Sequence, residues 1–407
     1  MSGNPLENKH IVLGITGSIA AYKGADLASK LTQAGALVDV ILTDSAVRFV
    51  SPLTFHALTG RKVYVDADLW GGEGHIAHVG LGHAADLMVI APASANTIAK
   101  LAQGIGDNLL TVTALAAHCP LIIAPAMDIG MYGHAATRAN INILKERGAT
   151  FIGPDEGRMA SGLTGRGRFV EPAEILEHIR YLASRDGPLK GRKIVVTAGG
   201  TREPIDPVRY ISNRSSGKQG YAIAQAALDA GAEVTLISAP TCLTVPVGLN
   251  LIKVQTSEEM LNAVTVETKQ ADVLVMAAAV ADFQPKQPSE QKIKKENGIS
   301  QIELTPCEDI IAMIGKQKLT TGFPKILVGF AAETNDLIQN ATAKLIAKKL
   351  DLIIANDVSS NESGFEVDNN RVTFLFGDGK QKSFPLQLKS EVAQQLIAFV
   401  IDQFAKV

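Results

Sequence analysis

Apolar residues along this chain arrive in short unbroken runs, and between the runs they recur at helical spacing. The runs IVLGI (11–15), VDVIL (38–42), LMVIAPA (87–93) and LIIAPA (121–126) are rich in Val and Ile and too short for helices. A second series follows: IVVTA (194–198), VTLIS (234–238), LIKV (251–254), VLVM (273–276), ILVGFAA (326–332) and LIIA (352–355). Near-continuous apolar strands joined by amphipathic helices predict parallel sheets covered on both faces. The pattern starts twice. Residues 9–43 read strand, Gly-rich turn, helix, Gly turn, strand; residues 192–238 read the same way with a longer first loop, and both helices end at AGA. The segment RYLASRDGPLKGRK (180–193) is polar with Gly and Pro and predicts a boundary near residue 188. The expected fold class is α/β: two doubly wound, Rossmann-like parallel-sheet domains, 1–187 and 188–407.

Composition narrows the function. A chain of 407 residues suffices for two ordinary cores, and 46% hydrophobic with 20% charged residues is that of a soluble globular protein. A net charge of −2 gives no bulk attraction to nucleic acid or an anionic membrane, and 5% aromatics offer no platform for stacking bases. Any phosphate site is therefore local. Cys119, Cys242 and Cys307 lie far apart without CxxC spacing, which predicts reduced thiols and neither a disulfide framework nor a zinc site. The opening residues show no secretory pattern, and no apolar run reaches the roughly 18 residues of a membrane span, so a cytoplasmic protein is expected.

Polar and small residues gather just after the strands, where an open α/β sheet has its ligand crevice. GITGSIAAYK (14–23) places Gly14, Thr16, Gly17 and Ser18 between a strand and a helix. Such a turn lets backbone approach a phosphate, although the same residues also make an ordinary tight turn. GxGxxG spacing is absent from both halves, which argues against a nicotinamide-dependent reductase. Asp44, after the second strand, reads as a ribose-binding acid or a helix cap. Ser94, Asn96 and Thr97 stand at another strand-to-helix junction. His75, His78 and His83 lack accompanying Cys or carboxylate metal ligands, and a single general base among them is the stronger reading.

These stretches, with GHIAHVGLGHAADLMVIAPASANTIAKLAQGIGDNLL (74–110) and PAMDIGMY (125–132), resemble the FMN-dependent cysteine decarboxylases, whose fold includes the phosphopantothenoylcysteine decarboxylases. In that family the flavin oxidises the substrate thiol so that the adjacent carboxylate is easily lost. The resemblance implies that Gly17, Ser18, Ser94, Asn96 and Thr97 hold FMN and that His75 is the active-site base. Two positions depart from the family pattern. The family reads Pro-Ala-Met-Asn, its Asn contacting the substrate carboxylate. Here Asp128 stands instead, which when ionised only accepts hydrogen bonds and repels a carboxylate, unless it is protonated or Arg138, Arg166 or Arg168 offsets it. The Gly-flanked flap RMASGLTGRGRF (158–169) carries Ser161 where many members have a Cys that completes reduction. The retained flavin loops, His75 and flap glycines favour a working variant. A non-decarboxylating or regulatory flavin domain is the alternative.

In the second half, TAGGTREPIDPVRYISNRSSGKQGYAIA (197–224) sets two glycines after a strand, then Arg202, Arg209, Asn213, Arg214 and Lys218, without a GxxxxGK[ST] loop. Loops of that length are uncommon unless functional. Later strand ends supply Asp282, Phe330, Glu333, Asn356 and Asp357. A polar stretch carries Lys292, Lys294 and Lys295, and Lys344 and Lys348 share one helix face. Carboxylates beside a triphosphate suggest Mg²⁺ (or Mn²⁺), with no ligands assigned. The order TAGGTREPIDPVRYISNRSSGKQG, AAAVADF, KIKK, VGFAAET, ANDVS resembles phosphopantothenate–cysteine ligase over roughly 190–405. The fusion resembles the bifunctional enzymes of bacterial coenzyme A synthesis.

That resemblance implies that CTP transfers CMP to the carboxylate of 4′-phosphopantothenate and that the amine of cysteine displaces it. Asp282, Phe330, Lys344 and Lys348 would bind CTP, with Lys292 over the reacting phosphate. Asn213 would bind the acyl intermediate, Arg209 the pantothenate chain or phosphate, and Ala279 would admit substrate to the backbone. The two families further imply a homo-oligomer, with a trimer-based flavin domain and a dimeric ligase, together a dodecamer.

Overall fold

The apolar runs of the first half become β1 (His10–Ile15), β2 (Leu37–Leu42), β3 (Val63–Val65), β4 (Leu87–Ala93), β5 (Leu121–Pro125) and β6 (Thr150–Phe151). They form one parallel sheet in the order β3-β2-β1-β4-β5-β6. The computed structural model describes residues 3–70, 76–294, 301–333, 336–357 and 367–406. Every residue of β4 is buried, because core clusters cover both faces of the sheet. The segment ATFIGPDEG (149–157) supplies only the short β6. Its continuation becomes β7 (Asp155–Arg158), which pairs antiparallel with β8 (Thr164–Arg168) as a separate flap.

The second half contributes β9 (Lys193–Ala198), β10 (Arg202–Pro204), β11 (Tyr210–Ser212), β12 (Glu233–Ser238), β13 (Asn250–Lys253), β14 (Val273–Met276) and β15 (Phe283–Pro285). After these come β16 (Leu304–Pro306), β17 (Ile326–Glu333), β18 (Leu352–Asp357), β19 (Asn369–Asn370), β20 (Val372–Phe376), β21 (Gln381–Ser383) and β22 (Gln387–Leu388). The main sheet runs β13-β12-β9-β14-β17-β18-β20-β21. It is parallel as far as β18, as the apolar runs predict, and β20 and β21 extend its edge in antiparallel pairing. The tight turn from Phe376 to Gln381 joins β20 to β21 as an antiparallel pair, which needs no crossover.

Two compact units divide between Ala183 and Ser184, ahead of the expected boundary near 188. The reason is packing: Leu189 is fully buried, and its amide donates to the Ala230 carbonyl at 2.8 Å. A Cβ on Gly187 would lie 2.4 Å from that same carbonyl oxygen. The polar segment is thus fastened to the turn that ends the helix Lys218–Asp229.

Both sheets use one device at their amino edge. A strand's first amide has no ladder partner, and a buried unpaired amide is costly. Asp86, just before β4, accepts from the His10 amide at 2.9 Å and from Lys9 Nζ at 3.1 Å. Asp272, just before β14, accepts from the Lys193 amide at 2.9 Å, Lys325 Nζ at 2.8 Å and Arg192 Nη1 at 3.4 Å. Asp351, before β18, accepts from the Leu327 amide at 2.6 Å and pairs with Lys318. Burial pushes the Asp272 carboxyl up, but the Lys325 ammonium, the Lys193 amide and the Arg192 charge outweigh it and leave the group below its ordinary value.

A depressed carboxyl contributes stability that is present above the unfolded value, near 3.9, and is lost as pH falls through the folded value. Asp272→Asn should therefore lower unfolding free energy by about 2 kcal/mol at neutral pH. In urea unfolding the gap to wild type should close as pH falls below about 4. A gap independent of pH would contradict this role for the carboxylate.

Candidate active sites

Strand order reverses between β1 and β4 in the first unit and between β9 and β14 in the second. At such a point the chains leave for opposite faces and open a crevice at the carboxyl edge. In the first unit Thr16 holds the two sides of the crevice together. Its hydroxyl donates to the Pro92 carbonyl at 2.8 Å and accepts from the Ser94 amide at 2.8 Å. Gly17 is required by close approach, since a Cβ there would lie 2.5 Å from Ser45 Cβ. Ser18 Oγ accepts from the Ala20 amide at 3.2 Å, and the helix Ala21–Gln33 begins with no side-chain cap. An uncapped helix start presents amides to an anion.

A cavity of about 730 Å³ opens here, with Gly17, Ser18 and Ser94 on one side and Asp128, Ser161 and Arg168 on the other. Asp128 caps the helix Ile129–Gly133: one oxygen accepts from the Gly130 amide at 2.9 Å. The other accepts from the Ser161 hydroxyl at 2.8 Å. The two positions that depart from the family pattern therefore touch each other. The flap lies close because its glycines permit it. The Met127 amide donates to the Gly167 carbonyl at 3.1 Å, and a Cβ on Gly165 would lie 2.1 Å from Ile129 Cδ1. Lys23 and Arg168 both donate to Glu171, at 2.7 and 2.8 Å. The Lys23 bond, then Arg168, holds that carboxyl below its ordinary value.

Not all expected residues reach this cavity. Asn96 is exposed in the first turn of the helix Ala95–Gln103, and Thr97 is buried against its cap, Ser94. Asp44 is neither cap nor lining: Thr43 caps the short helix, and the Asp44 amide donates to Asp66. Arg166 donates to the Pro154 carbonyl at 3.4 Å and stacks over Tyr132, and Arg138 is exposed outside the cavity, which leaves Arg168 of the three arginines. His75 lies outside the described residues. His78 has a buried Nδ1 that meets no hydrogen-bond partner among the described residues, and His83 is exposed beside His118.

In the second unit the loops after β9 and β14 are bonded directly. The Ala279 amide donates to the Gly199 carbonyl at 2.8 Å, and the Ala279 carbonyl accepts from Thr201 at 3.3 Å. Thr197 and Thr201 hydroxyls accept from the Ala278 and Ala281 amides at 3.0 and 2.9 Å. Gly199 has φ +81°, and a Cβ there would lie 2.8 Å from the Ala239 carbonyl. The long loop is not irregular throughout: β10 and β11 make it a hairpin, which sequence reasoning missed. Gly217, in a left-handed conformation, is the N-cap of the next helix, which starts without a side-chain cap. Asn213 Nδ2 donates to the Val280 carbonyl at 3.0 Å, which brings Asn213 beside Ala279 and the exposed Asp282.

Phe330 lies half-buried on β17. Lys344 is in the last turn of the helix Leu337–Ala347, and Lys348 is its C-cap, paired through Nζ with Asp309 at 2.9 Å. Asp309 follows Cys307, whose amide donates to the Asp282 carbonyl at 2.9 Å. Lys292 is exposed on a segment tied to the β10–β11 turn. Arg209, expected to meet substrate, is engaged with Asp206 and the Ile293 carbonyl. Of Lys295, which lies outside the described residues, and of the Glu333 and Asp357 side chains nothing is placed. Among the described residues no group of three or more His, Cys, Asp or Glu side chains forms a metal cluster, and no helix is long and apolar enough to cross a membrane.

A family model described as Flavoprotein matches residues 2–184, and one described as DNA/pantothenate metabolism flavoprotein C-terminal domain matches residues 189–404. These matches, on two doubly wound units, define the class: a flavoprotein domain fused to a pantothenate-metabolism domain. The chain is 46% identical over 395 residues to the coenzyme A biosynthesis bifunctional protein CoaBC of Bacillus subtilis, covering 96% of each chain. It is 43% identical over 401 residues to that of Vibrio cholerae, covering 98% of this chain and 99% of that one. A crystal structure of the C-terminal domain of such a protein is similar at 37% identity and a TM-score of 0.46, over 55% of this chain and 100% of that chain. The chain belongs to the family of bifunctional coenzyme A biosynthesis proteins.

Gly167→Ala would place a Cβ 2.4 Å from the Met127 carbonyl oxygen, a backbone atom that cannot rotate aside. The flap should lift, and tryptic cleavage after Arg158 and Arg166 should accelerate several-fold. Unchanged cleavage would show that β8 is not held by this close approach.

Proposed function

We propose that this chain joins 4′-phosphopantothenate to cysteine with CTP in its second domain and decarboxylates the product to 4′-phosphopantetheine in its first. The observation that carries the reading is one chain with two switch-point sites. Gly17, Ser18, Ser94, Asp128 and Ser161 surround the first, and Asn213, Ala279 and Asp282 gather at the second. Coverage of 96% by bifunctional relatives favours two working halves over a regulatory flavin domain.

In the second domain the substrate carboxylate attacks the α-phosphorus of CTP and pyrophosphate leaves; the cysteine amine then attacks the acyl carbon and CMP leaves. A carboxylate resists amines until it carries such a leaving group, and charge that develops on phosphate needs fixed cations. Lys292 supplies one. Lys344 and Lys348 stand on the β17–β18 side with Phe330, and the Lys348–Asp309 pair must open before Lys348 meets a triphosphate. Asn213 holds the acyl intermediate beside Ala279, whose small side chain and fixed backbone let the substrate come close. Mg²⁺ arrives on the triphosphate with most of its waters, which needs no three-residue cluster.

The first cavity suits FMN: the 17–20 turn leads into a helix without a side-chain cap, a start that favours an anionic tail, and Ile19, Met127, Met131 and Phe169 offer apolar surface to a flat ring. Bound there, FMN supplies the electron sink that the polypeptide lacks. Gly17, Ser18 and Ser94 would hold it, with Asn96 and Thr97 shaping the adjoining helix start and His75 as the base. Asp128 would repel the substrate carboxylate if left bare. The Gly130 amide and the Ser161 hydroxyl occupy its oxygens, and Lys23, Arg158 and Arg168 line the same cavity with positive charge. Ser161 thereby holds the flap over the site and keeps a hydroxyl proton on a carboxylate at the reacting face. The enzyme works as a homo-oligomer in the cytoplasm.

Purified protein given Mg²⁺, CTP, 4′-phosphopantothenate and cysteine should be yellow and should yield 4′-phosphopantetheine with CO₂, CMP and pyrophosphate by mass spectrometry. Accumulation of the cysteinyl adduct alone would remove the reading of the first domain. Absence of any adduct would remove that of the second.

A further inference from the structure

Lys292 lies on a stretch, residues 289–294, with no helix or strand of its own. Among the described residues its attachments run to one place, the turn between β10 and β11. The Ser289 amide donates to the Ile205 carbonyl at 2.9 Å, the Ile293 amide to Asp206 Oδ2 at 3.2 Å, and Arg209 Nη2 to the Ile293 carbonyl at 3.0 Å. Asp206 is the centre of this clasp. Its side chain is 0% exposed. Oδ1 accepts from the Val208 and Arg209 amides, each at 2.8 Å. Oδ2 accepts from Arg209 Nε at 3.0 Å, from Arg209 Nη2, and from the Ile293 amide.

Five donors converge on one carboxylate. Only an ionised acid accepts on both oxygens without presenting a donor of its own, so the surroundings read that charge and no neutral isostere. The Arg209 guanidinium, joined by the Val208, Arg209 and Ile293 amides, holds the carboxyl far below its ordinary value although burial pushes it up.

The turn is itself rigidly mounted. Glu203, 1% exposed, accepts from the Ser257 amide at 2.9 Å. The Ser212 hydroxyl donates to the Thr201 carbonyl at 2.7 Å, and Arg202 stacks on Tyr210 at 4.7 Å. The hairpin that carries the clasp at its tip leads directly into Asn213 at its base. We propose that Asp206 is a positioning residue for the ligase reaction: it clasps the 289–293 segment to the hairpin, so that Lys292 and Asn213 are placed by one element. The inference rests on the reading of Lys292 given above. Asp206's bonds to its own turn stabilise the hairpin locally; the bond exported to Ile293 sets the lysine.

Two variants of the full-length protein separate these roles. Asp206→Asn can keep Oδ1 on the Val208 and Arg209 amides but turns an NH₂ toward the Ile293 amide. Ile293→Pro removes that amide and leaves Asp206 and its turn intact. Hydrogen exchange of the 289–294 amides, read without substrates, should quicken on the order of tenfold in Asp206→Asn, with the remaining Ser289 amide following in Ile293→Pro. Ligase kcat should fall on the order of 100-fold, as misplacement of a reacting group by about 1 Å does, while KM for CTP moves less than about threefold. Thermal midpoints near wild type show that the fold survives.

Unchanged exchange in both variants overturns the clasp, whatever the activity. Faster exchange with wild-type kcat overturns the positioning role. If Asp206→Asn alone fails to fold, Ile293→Pro decides by the same two readouts. Wild-type protein that makes no cysteinyl adduct removes the reading of Lys292 and the inference with it, and is seen before either variant is measured.

Discussion

Two parallel strands that leave the same sheet edge and send their chains to opposite faces cannot cover the gap between them. That constraint decides where this protein does its chemistry. It operates once between β1 and β4 and again between β9 and β14, and nothing about the strands themselves says what will bind there. The character of each crevice comes from the few residues that hold its sides.

Those residues are hydroxyls and glycines. Thr16 bridges the two sides of the first crevice, and Thr197 and Thr201 bridge the second, each hydroxyl meeting backbone across the gap. Buried backbone groups at strand ends have to be paired, and a short side chain pairs them without filling the crevice. The first site then acquires Met127, Met131 and Phe169 with an uncapped helix start, a mixture suited to a ring with an anionic tail. In the second, Asn213 stands beside Ala279 and the exposed Asp282, a polar edge. The two crevices thus differ in lining.

Much of this was legible in the sequence, for a physical reason. A strand covered on both faces must be apolar throughout, so IVLGI and VLVM announce themselves. A strand end beside a crevice must be small or polar, so Gly17 and Ser94 stand out. What stayed hidden depends on partners far along the chain. TREPIDPVRYIS reads as loop because its strands have three residues each and Pro204 interrupts the pattern. It is a hairpin because buried Glu203 reaches Ser257 and Arg202 lies on Tyr210. Asp206 looks like any turn acid until Ile293 is placed against it. Asp128 and Ser161 are each odd alone, and their hydrogen bond has no local signature. The aspartates before β4, β14 and β18 were findable: an acid directly ahead of an apolar run, in ADLMVI, ADVLVM and LDLIIA, marks an amide at the start of a neighbouring strand, the first of β1 and β9 and the second of β17.

The central claim is that two crevices in one chain carry out separate, successive reactions. The most direct test supplies Lys292→Gln with preformed 4′-phosphopantothenoylcysteine in one assay and with CTP, 4′-phosphopantothenate and cysteine in another. The account predicts CO₂ release at the wild-type rate in the first and no cysteinyl adduct in the second. Adduct formation at the wild-type rate, or loss of both reactions in a folded variant, would contradict it.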